Sequence, residues 1–483
     1  MLDALTAFRR RGDTTYGPPG HRQGRGVDPR VLTLMGEGVF ASDVLMLNGL
    51  DDRRMSNGIL EEAQELMADA VRADKAFFST CGSSLSVKSA MLAVAGPGEK
   101  LLISRNAHKS VIAGVIIIGT DPVWVHPRWD QKRKLSHPPE PDDVRQALET
   151  HHDARGMLLI TPTDWGTCAD IAGTADFCHA RGLPLIVDEA WGAHLPFHDG
   201  LPSWGMDAGA DVVVTSVHKM GAAVEQSSVF HLQGDRVDPT RLKQREDLLG
   251  TTSASSLVYG SLDGWRRQMV EHGEELLGAA LERAHRVRAA IEQIEGLDAL
   301  GDEVVEEGYA KETDPFSIAV DVHALGVTGY QLAEYARSEY HVNFGASDSR
   351  RISARLTHAD SDASERTLIE VLEKLVADAI DMEPAPEIDY PPAGGLELET
   401  VMLPRDAFFA DVDEVPPHEA VGRVAAEIVS PYPPGVPVLA PGELINEEAI
   451  DYLMSSVAAG ALLPDPSSQK LEKIRVVARR SHN

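Results

Sequence analysis

The chain has 483 residues, too many for a single core, so two or three domains are expected. Its composition is that of a globular protein, 43% hydrophobic and 25% charged, with no long low-complexity tract. The formal net charge of −30 argues against nucleic acid or an anionic membrane surface as a partner, favours solubility, and raises the local concentration of a cationic small molecule.

Three cysteines, Cys81, Cys168 and Cys178, form neither a metal-ligand nor a CxxC spacing, and a reduced, cytoplasmic compartment is the simplest expectation. No metal site is expected. The N-terminal stretch Met1–Arg11 lacks the apolar core of a signal peptide, and the most apolar run, Val111–Gly119, is too short to span a bilayer, so a soluble protein is expected.

Taken in chain order, residues 1–58 are rich in Gly and Pro and show little periodicity, which predicts an arm that wraps another surface instead of forming a core. Ile59–Arg72 has a helical pattern, with Leu60, Ala63, Leu66, Met67 and Ala70 on one face. Short apolar runs then alternate with helical stretches: Ala76–Phe78, Lys100–Ser104, Pro122–Val125, Met157–Ile160, Pro184–Val187, Val212–Thr215 and Ser228–Leu232. Most read as strands buried on both faces, which predicts an α/β large domain over 59–295 built on a mainly parallel seven-stranded sheet. A long helix is expected over Leu262–Ile294. A smaller α+β domain over 296–380 follows, with strands at Phe316–Val322 and Arg351–Leu356 and helices at Tyr330–Tyr340 and Glu365–Ala379. Met382–Gly395 reads as a linker, and the tail to residue 483 carries rigid Pro-rich turns around Pro431–Pro437 and Pro441–Glu443.

Two strand ends carry the chemistry. The run from Pro184 ends in an acid, Asp188, and the run from Asp211 ends in Ser216-Val-His-Lys219. Ligands of parallel sheets bind beyond the carboxyl ends of the strands. A lysine for a Schiff base and a carboxylate that keeps a pyridine nitrogen protonated are what pyridoxal phosphate requires of a protein. Ser216 and His218 flank Lys219 with donors suited to a phosphate. Ser79–Ser84 lies between a strand and a helix, where Gly82 and small hydroxyls form an anion site with Ser83 and Ser84 as donors; the same residues also serve as plain helix caps. His108, after the strand Lys100–Ser104, is a candidate to stack on the pyridine ring or else a surface-loop histidine.

The chain resembles the Orn/Lys/Arg decarboxylase family (major domain), whose fold is the aspartate aminotransferase type I. The resemblance is carried by Pro19-Gly-His21, Gly49-Leu-Asp-Asp52, Glu62-Ala-Gln-Glu65, Arg105-Asn-Ala-His-Lys-Ser110, Asp188-Glu-Ala-Trp-Gly-Ala-His194, Ser216-Val-His-Lys219, Gln226-Ser-Ser228, Pro404-Arg-Asp-Ala-Phe-Phe409, and Tyr432-Pro-Pro-Gly435 through Pro441-Gly-Glu443. It is to a short form without the N-terminal wing domain of larger relatives. The resemblance implies that Lys219 holds the cofactor, Asp188 pairs with its ring nitrogen, His108 stacks on the ring, and Ser83, Ser84, Ser216 and His218 bind its phosphate, with Ala190 also in the cofactor site. It further implies a homodimer in which Thr252 or Ser253 reaches the phosphate of the neighbouring subunit. The implied reaction is α-decarboxylation of lysine, ornithine or arginine, with Lys219 or His218 returning a proton to Cα.

Several positions depart from the family pattern. Asp164 and Trp165 stand where relatives have an aromatic and a variable residue, Cys81 replaces an Asn, Glu225 a Thr, and Asn343 an acid. Asp164, Glu225, Arg351 and Glu443 are the candidates to touch substrate. Ser349–Arg355 is basic where relatives are apolar, and an α-carboxylate grip by Arg351 would favour an aminotransferase or oxidase type of reaction; a basic patch at a strand edge or subunit contact is the plainer alternative. A catalytically silent binding homologue is a third reading, opposed by the intact Lys219 and Asp188.

Overall fold

The computed structural model describes residues 1–46, 50, 58–431 and 435–479, so the motif positions Gly49, Asp51, Asp52 and Tyr432 to Pro434 lie outside the described residues. The seven apolar runs are the strands of one sheet, in the spatial order Lys75–Ser79, Ser228–Leu232, Val212–Ser216, Leu185–Asp188, Met157–Ile160, Lys100–Ser104 and Asp121–Val125. Leu101, Leu102, Ile103 and Val212, Val213, Val214 are fully buried, as strands covered on both faces require. Three of the strand pairs run parallel, and the two made by Ser228–Leu232 run antiparallel. The connection 217–227 before that strand is too short for a full crossover, so the chain returns as an antiparallel neighbour.

The chain divides into two compact units, Met1–Ala93 with Ile186–Asp199 and Ser203–Glu275, and Val94–Leu185 with Gly200–Pro202 and Leu276–Asn483. In the first unit, the helix Ile59–Ala70 turns Ala63, Gln64, Met67 and Ala68 inward, and the Gln64 side-chain carbonyl accepts from the Phe78 N–H at 2.9 Å. The N-terminal segment corrects its expectation. It contains the helices Leu2–Arg11, Pro29–Met35 and Glu37–Ser42 and buries Leu5 and Phe8. Leu5 packs where a Cβ on Gly260 would lie 2.8 Å away, so the segment contributes to a core of its own unit. Local signals were present: Asp28 caps the helix that starts with Pro29.

The second unit holds a four-stranded antiparallel sheet in the order Asp298–Ala299, Ser317–Asp321, Arg351–Arg355, Ala346–Ser347, with the helices Gly329–Glu339 and Asp362–Asp378 alongside in sequence. Both helices open with a capping box, at Thr328 and Ser361. Met382–Gly395, read as a linker, is fastened down. Ala385 N–H donates to the Gly326 carbonyl at 2.7 Å, and the Tyr390 hydroxyl bonds that of Ser349 at 2.6 Å. Beyond it, Val429, Leu439, Ile445, Ile450, Leu453, Ile474 and Val476 form a separate cluster of the tail. Among the described residues no helix is long and apolar enough to cross a membrane.

His231 sits on the strand Ser228–Leu232, second from the edge of the sheet, with Nε2 3.1 Å from the Thr215 hydroxyl and its ring edge-on to Trp204. Burial pushes its pKa from the ordinary 6.5 down to about 3. Between those values the unfolded chain takes up a proton that the folded one refuses. This group is therefore neutral to stability above pH 6.5 and destabilises as pH falls toward 3, with a limiting slope of about 1.4 kcal/mol per pH unit. Urea melts of His231→Asn should show a shallower loss of stability between pH 6.5 and 4.5 than the parent, and equal slopes would contradict this assignment.

Candidate active site

Asp188 ends the strand Leu185–Asp188, is buried, and lies in parallel register opposite Val214. The neighbouring strand continues through Ser216 into one turn of helix, Val217–Met220. That turn is held by Val217 N–H donating to the Ser227 carbonyl at 3.0 Å and Gly221 N–H to the Val217 carbonyl at 2.9 Å. Lys219, half-buried, has its Nζ 4.1 Å from the centroid of the Trp191 ring, a direct cation–π seat within the turn that follows Asp188. His218 places Nδ1 3.0 Å from the Ser227 carbonyl. A carbonyl only accepts, so Nδ1 carries the proton and Nε2 is the basic nitrogen of the neutral ring.

The Ser79–Ser84 turn joins the strand Lys75–Ser79 to the helix Ser83–Val94, with Gly82 at φ 74°. Ser216 Oγ donates to Ser83 Oγ at 2.6 Å, and Gly82 N–H donates to the Gln226 carbonyl at 2.9 Å. Ser86 and Ser228 hydroxyls, 2.8 Å apart, tie the same helix to the strand Ser228–Leu232. The first-turn N–H groups of a helix have no carbonyl partner within it, so paired hydroxyls beside them favour an anion. Ser84 is exposed and Ala190 half-buried in the turn after Asp188. An amine, a buried carboxylate and hydroxyls at a helix N-terminus together are the donor set that pyridoxal phosphate requires, and these residues fit it.

The remaining candidates are distributed as follows. His108 Nδ1 accepts from the Ser110 N–H at 3.2 Å and caps the helix Lys109–Ile118, a structural role that sequence reasoning missed. Glu443 binds Arg105 through both oxygens at 3.0 Å, each residue being buried, and one oxygen also accepts from Ala440 N–H at 2.8 Å. Arg351 is buried over the Trp165 ring, donates to Asp348 at 2.6 Å, and donates further to the carbonyls of Arg133 and Lys134. Asp164 is half-buried, its carbonyl accepting from Arg355, on the wall of a cavity of about 210 Å³ in the second unit that also includes Trp129, Trp165, Tyr330 and Tyr452. Glu225, Thr252 and Ser253 are exposed. Trp191 and Glu189, both inside the Asp188–His194 motif, received no role from sequence; only the fold brings Trp191 under Lys219.

Gly221 closes the lysine turn with no space for a side chain: a Cβ would lie 2.6 Å from the Val217 carbonyl oxygen and 2.8 Å from the Trp265 indole. Gly221→Ala should therefore displace the turn, costing about 1–3 kcal/mol of stability and weakening retention of pyridoxal phosphate. Thermal melts and equilibrium dialysis test this; retention and stability equal to the parent's would contradict it.

Residues 1–338 match the Orn/Lys/Arg decarboxylase major domain, and residues 396–466 match the C-terminal domain of that family. The chain is 36% identical over 477 residues to the arginine decarboxylase of Bacillus subtilis (strain 168), covering 99% of this chain and 97% of the relative. Among solved structures it is similar to the lysine decarboxylase of Francisella novicida, with a TM-score of 0.80 at 18% identity over 98% of this chain and 80% of that one. The constitutive lysine decarboxylase of Escherichia coli is similar at a TM-score of 0.78 and 19% identity, over 99% of this chain and 81% of that one. At such identities the structural likeness shows a shared fold, and the family assignment comes from the sequence matches. The chain belongs to the Orn/Lys/Arg decarboxylase family.

Proposed function

We propose that the protein is a pyridoxal 5′-phosphate-dependent decarboxylase that removes the α-carboxylate of a basic amino acid, with arginine placed ahead of lysine and ornithine. The observation that carries this reading is the set Asp188, Lys219, Ser83 and Ser216 at the carboxyl ends of adjacent strands and the helix start beside them. Arginine is placed first because the 36% identical relative from Bacillus subtilis is named an arginine decarboxylase.

When bound, the cofactor supplies an electron sink conjugated to the substrate Cα. Lys219 holds it through its amine, and Trp191 keeps that amine in place by the 4.1 Å cation–π contact. Asp188 keeps the ring nitrogen protonated, as a buried carboxylate facing a cation does. Ser83, Ser84, Ser216 and His218 would bind the phosphate, and Ala190 would belong to the cofactor site. On the family motif Arg105–Ser110, His108 is read as the ring-stacking residue. Lys219 or His218 returns the proton to Cα after carbon dioxide leaves; the basic Nε2 of His218 suits it to hold that proton. The reading includes a cytoplasmic homodimer in which the exposed Thr252 or Ser253 reaches the partner's phosphate, and the division 1–58, 59–295, 296–380 and 381–483 for arm, cofactor domain, small domain and tail. Asp164 and Glu225 are retained as contacts for the cationic end of the substrate. Arg351 directs its donors to Asp348 and two backbone carbonyls, so it does not grip the substrate α-carboxylate in this reading, and Glu443, bonded to Arg105 through both oxygens, does not contact the substrate.

Protein loaded with pyridoxal phosphate and given arginine, lysine or ornithine separately should release carbon dioxide, with agmatine identified by mass from arginine as the fastest product. Asp188→Asn should lower kcat by about a hundredfold or more. A keto acid or peroxide formed without carbon dioxide would sink the decarboxylase reading.

A further inference from the structure

Next to Asp188 the chain buries a second acid that the proposed chemistry does not use. Glu189 is 1% exposed. Its Oε2 accepts from the Gly205 N–H at 3.3 Å, and its Oε1 has no hydrogen-bond partner among the described residues. Two glycines make room for it. A Cβ on Gly192 would lie 2.4 Å from Glu189 Cγ, and one on Gly205 would lie 2.7 Å from Val213 Cγ2 and 3.2 Å from Glu189 Oε2. The Glu189 backbone is fixed at both ends as well, its N–H donating to the Val214 carbonyl at 2.9 Å and its carbonyl accepting from Gly192 N–H at 2.7 Å.

Resting on the pyridoxal phosphate reading above, we infer that Glu189 is a positioning residue of the cofactor site. Its side chain, seated between Gly192 and Gly205, fixes the 188–192 turn, and through that turn the Asp188 carboxylate and the Trp191 ring on which Lys219 rests. Among the described residues no lysine or arginine is bonded to Glu189, and burial, with Asp188 and Asp207 nearby, pushes its carboxyl well above the usual carboxylate range, which favours its neutral form. A neutral neighbour leaves Asp188 free of like-charge repulsion, whereas an ionised one would oppose the negative charge that the ring nitrogen needs.

The test compares Glu189→Gln, Glu189→Ala and Gly192→Ala with the parent in binding of pyridoxal phosphate, the pH profile of the bound cofactor's absorbance, and kcat against KM. Circular dichroism and thermal melts confirm folding. Glu189→Gln, the same shape and neutral, should keep most of the affinity and the parent pH profile. Glu189→Ala should bind the cofactor about tenfold to a hundredfold more weakly, with a shifted pH profile and a loss in kcat larger than any change in KM. Gly192→Ala, which retains the acid but whose Cβ would press on Glu189 Cγ and Cδ and on Leu195 Cδ1, should resemble Glu189→Ala and decides the matter if Glu189→Ala does not fold. Parent-like affinity and profile in the folded alanine variants would overturn the inference. So would a glutamine variant as impaired as the alanine one, since that would make the acid itself the requirement. Failure of the parent to bind pyridoxal phosphate would instead overturn the reading on which the inference rests.

Discussion

Parallel pairing of the strand that ends in Asp188 with the strand that ends in Ser216 is the constraint from which the candidate site follows. With Asp188 opposite Val214, Ser216 and the lysine turn extend past the acid on the same end of the sheet. A slip of one residue would move Ser216 and the lysine turn relative to Asp188, and because Val212, Val213 and Val214 are all fully buried it would require both faces of the strand to repack. The geometry of the candidate site is thus tied to the packing of the hydrophobic core. The loop residues alone would not supply it.

Polar groups of the candidate site are themselves tied by hydrogen bonds to one another and to the strands beside them. The Ser216–Ser83 and Ser86–Ser228 hydroxyl pairs hold the helix start against two strands, and the Ser227 carbonyl fixes both the lysine turn and the His218 tautomer. Buried hydrogen bonds of this kind add little net stability, about 1 kcal/mol each, but are costly to leave unmade, so they specify one arrangement. The Arg105–Glu443 pair serves the second unit in the same way. Two charges removed from water are tolerated because the guanidinium is bonded by both carboxylate oxygens and by the Pro437 and Val438 carbonyls.

Much of the fold was legible in the sequence because it is written locally. Strands such as Met157–Ile160 and Ser228–Leu232 are short apolar runs between polar or Gly/Pro-containing segments, and their bounds emerge unchanged. The placement of Asp188 and of Ser216 to Lys219 at the carboxyl ends of neighbouring strands was legible because the apolar runs that lead to them are. What was not legible depends on partners far away in the chain. Arg105 and Glu443 are 338 positions apart, and nothing around Glu443 announces that its carboxylate is already taken. For Arg351 the sequence left a carboxylate grip and a basic patch both open; its bonds to the carbonyls of Arg133 and Lys134 reach across 218 and 217 positions. The N-terminal helices were missed for the opposite reason, since Gly and Pro content outweighed short capped segments in the reading. Glu189 was hidden by its neighbour, because in a motif led by an acid the next acid looks like part of the same signal.

The central claim is that Lys219 is the residue that carries the cofactor, and covalent trapping addresses it most directly. Protein loaded with pyridoxal phosphate is reduced with borohydride, digested, and its peptides are mapped by mass. The structure, with Lys219 seated on Trp191 at the end of the strand next to that of Asp188, predicts one stoichiometric phosphopyridoxyl label on the peptide that contains Lys219. A label on another lysine, or spread thinly over exposed lysines, would contradict the account.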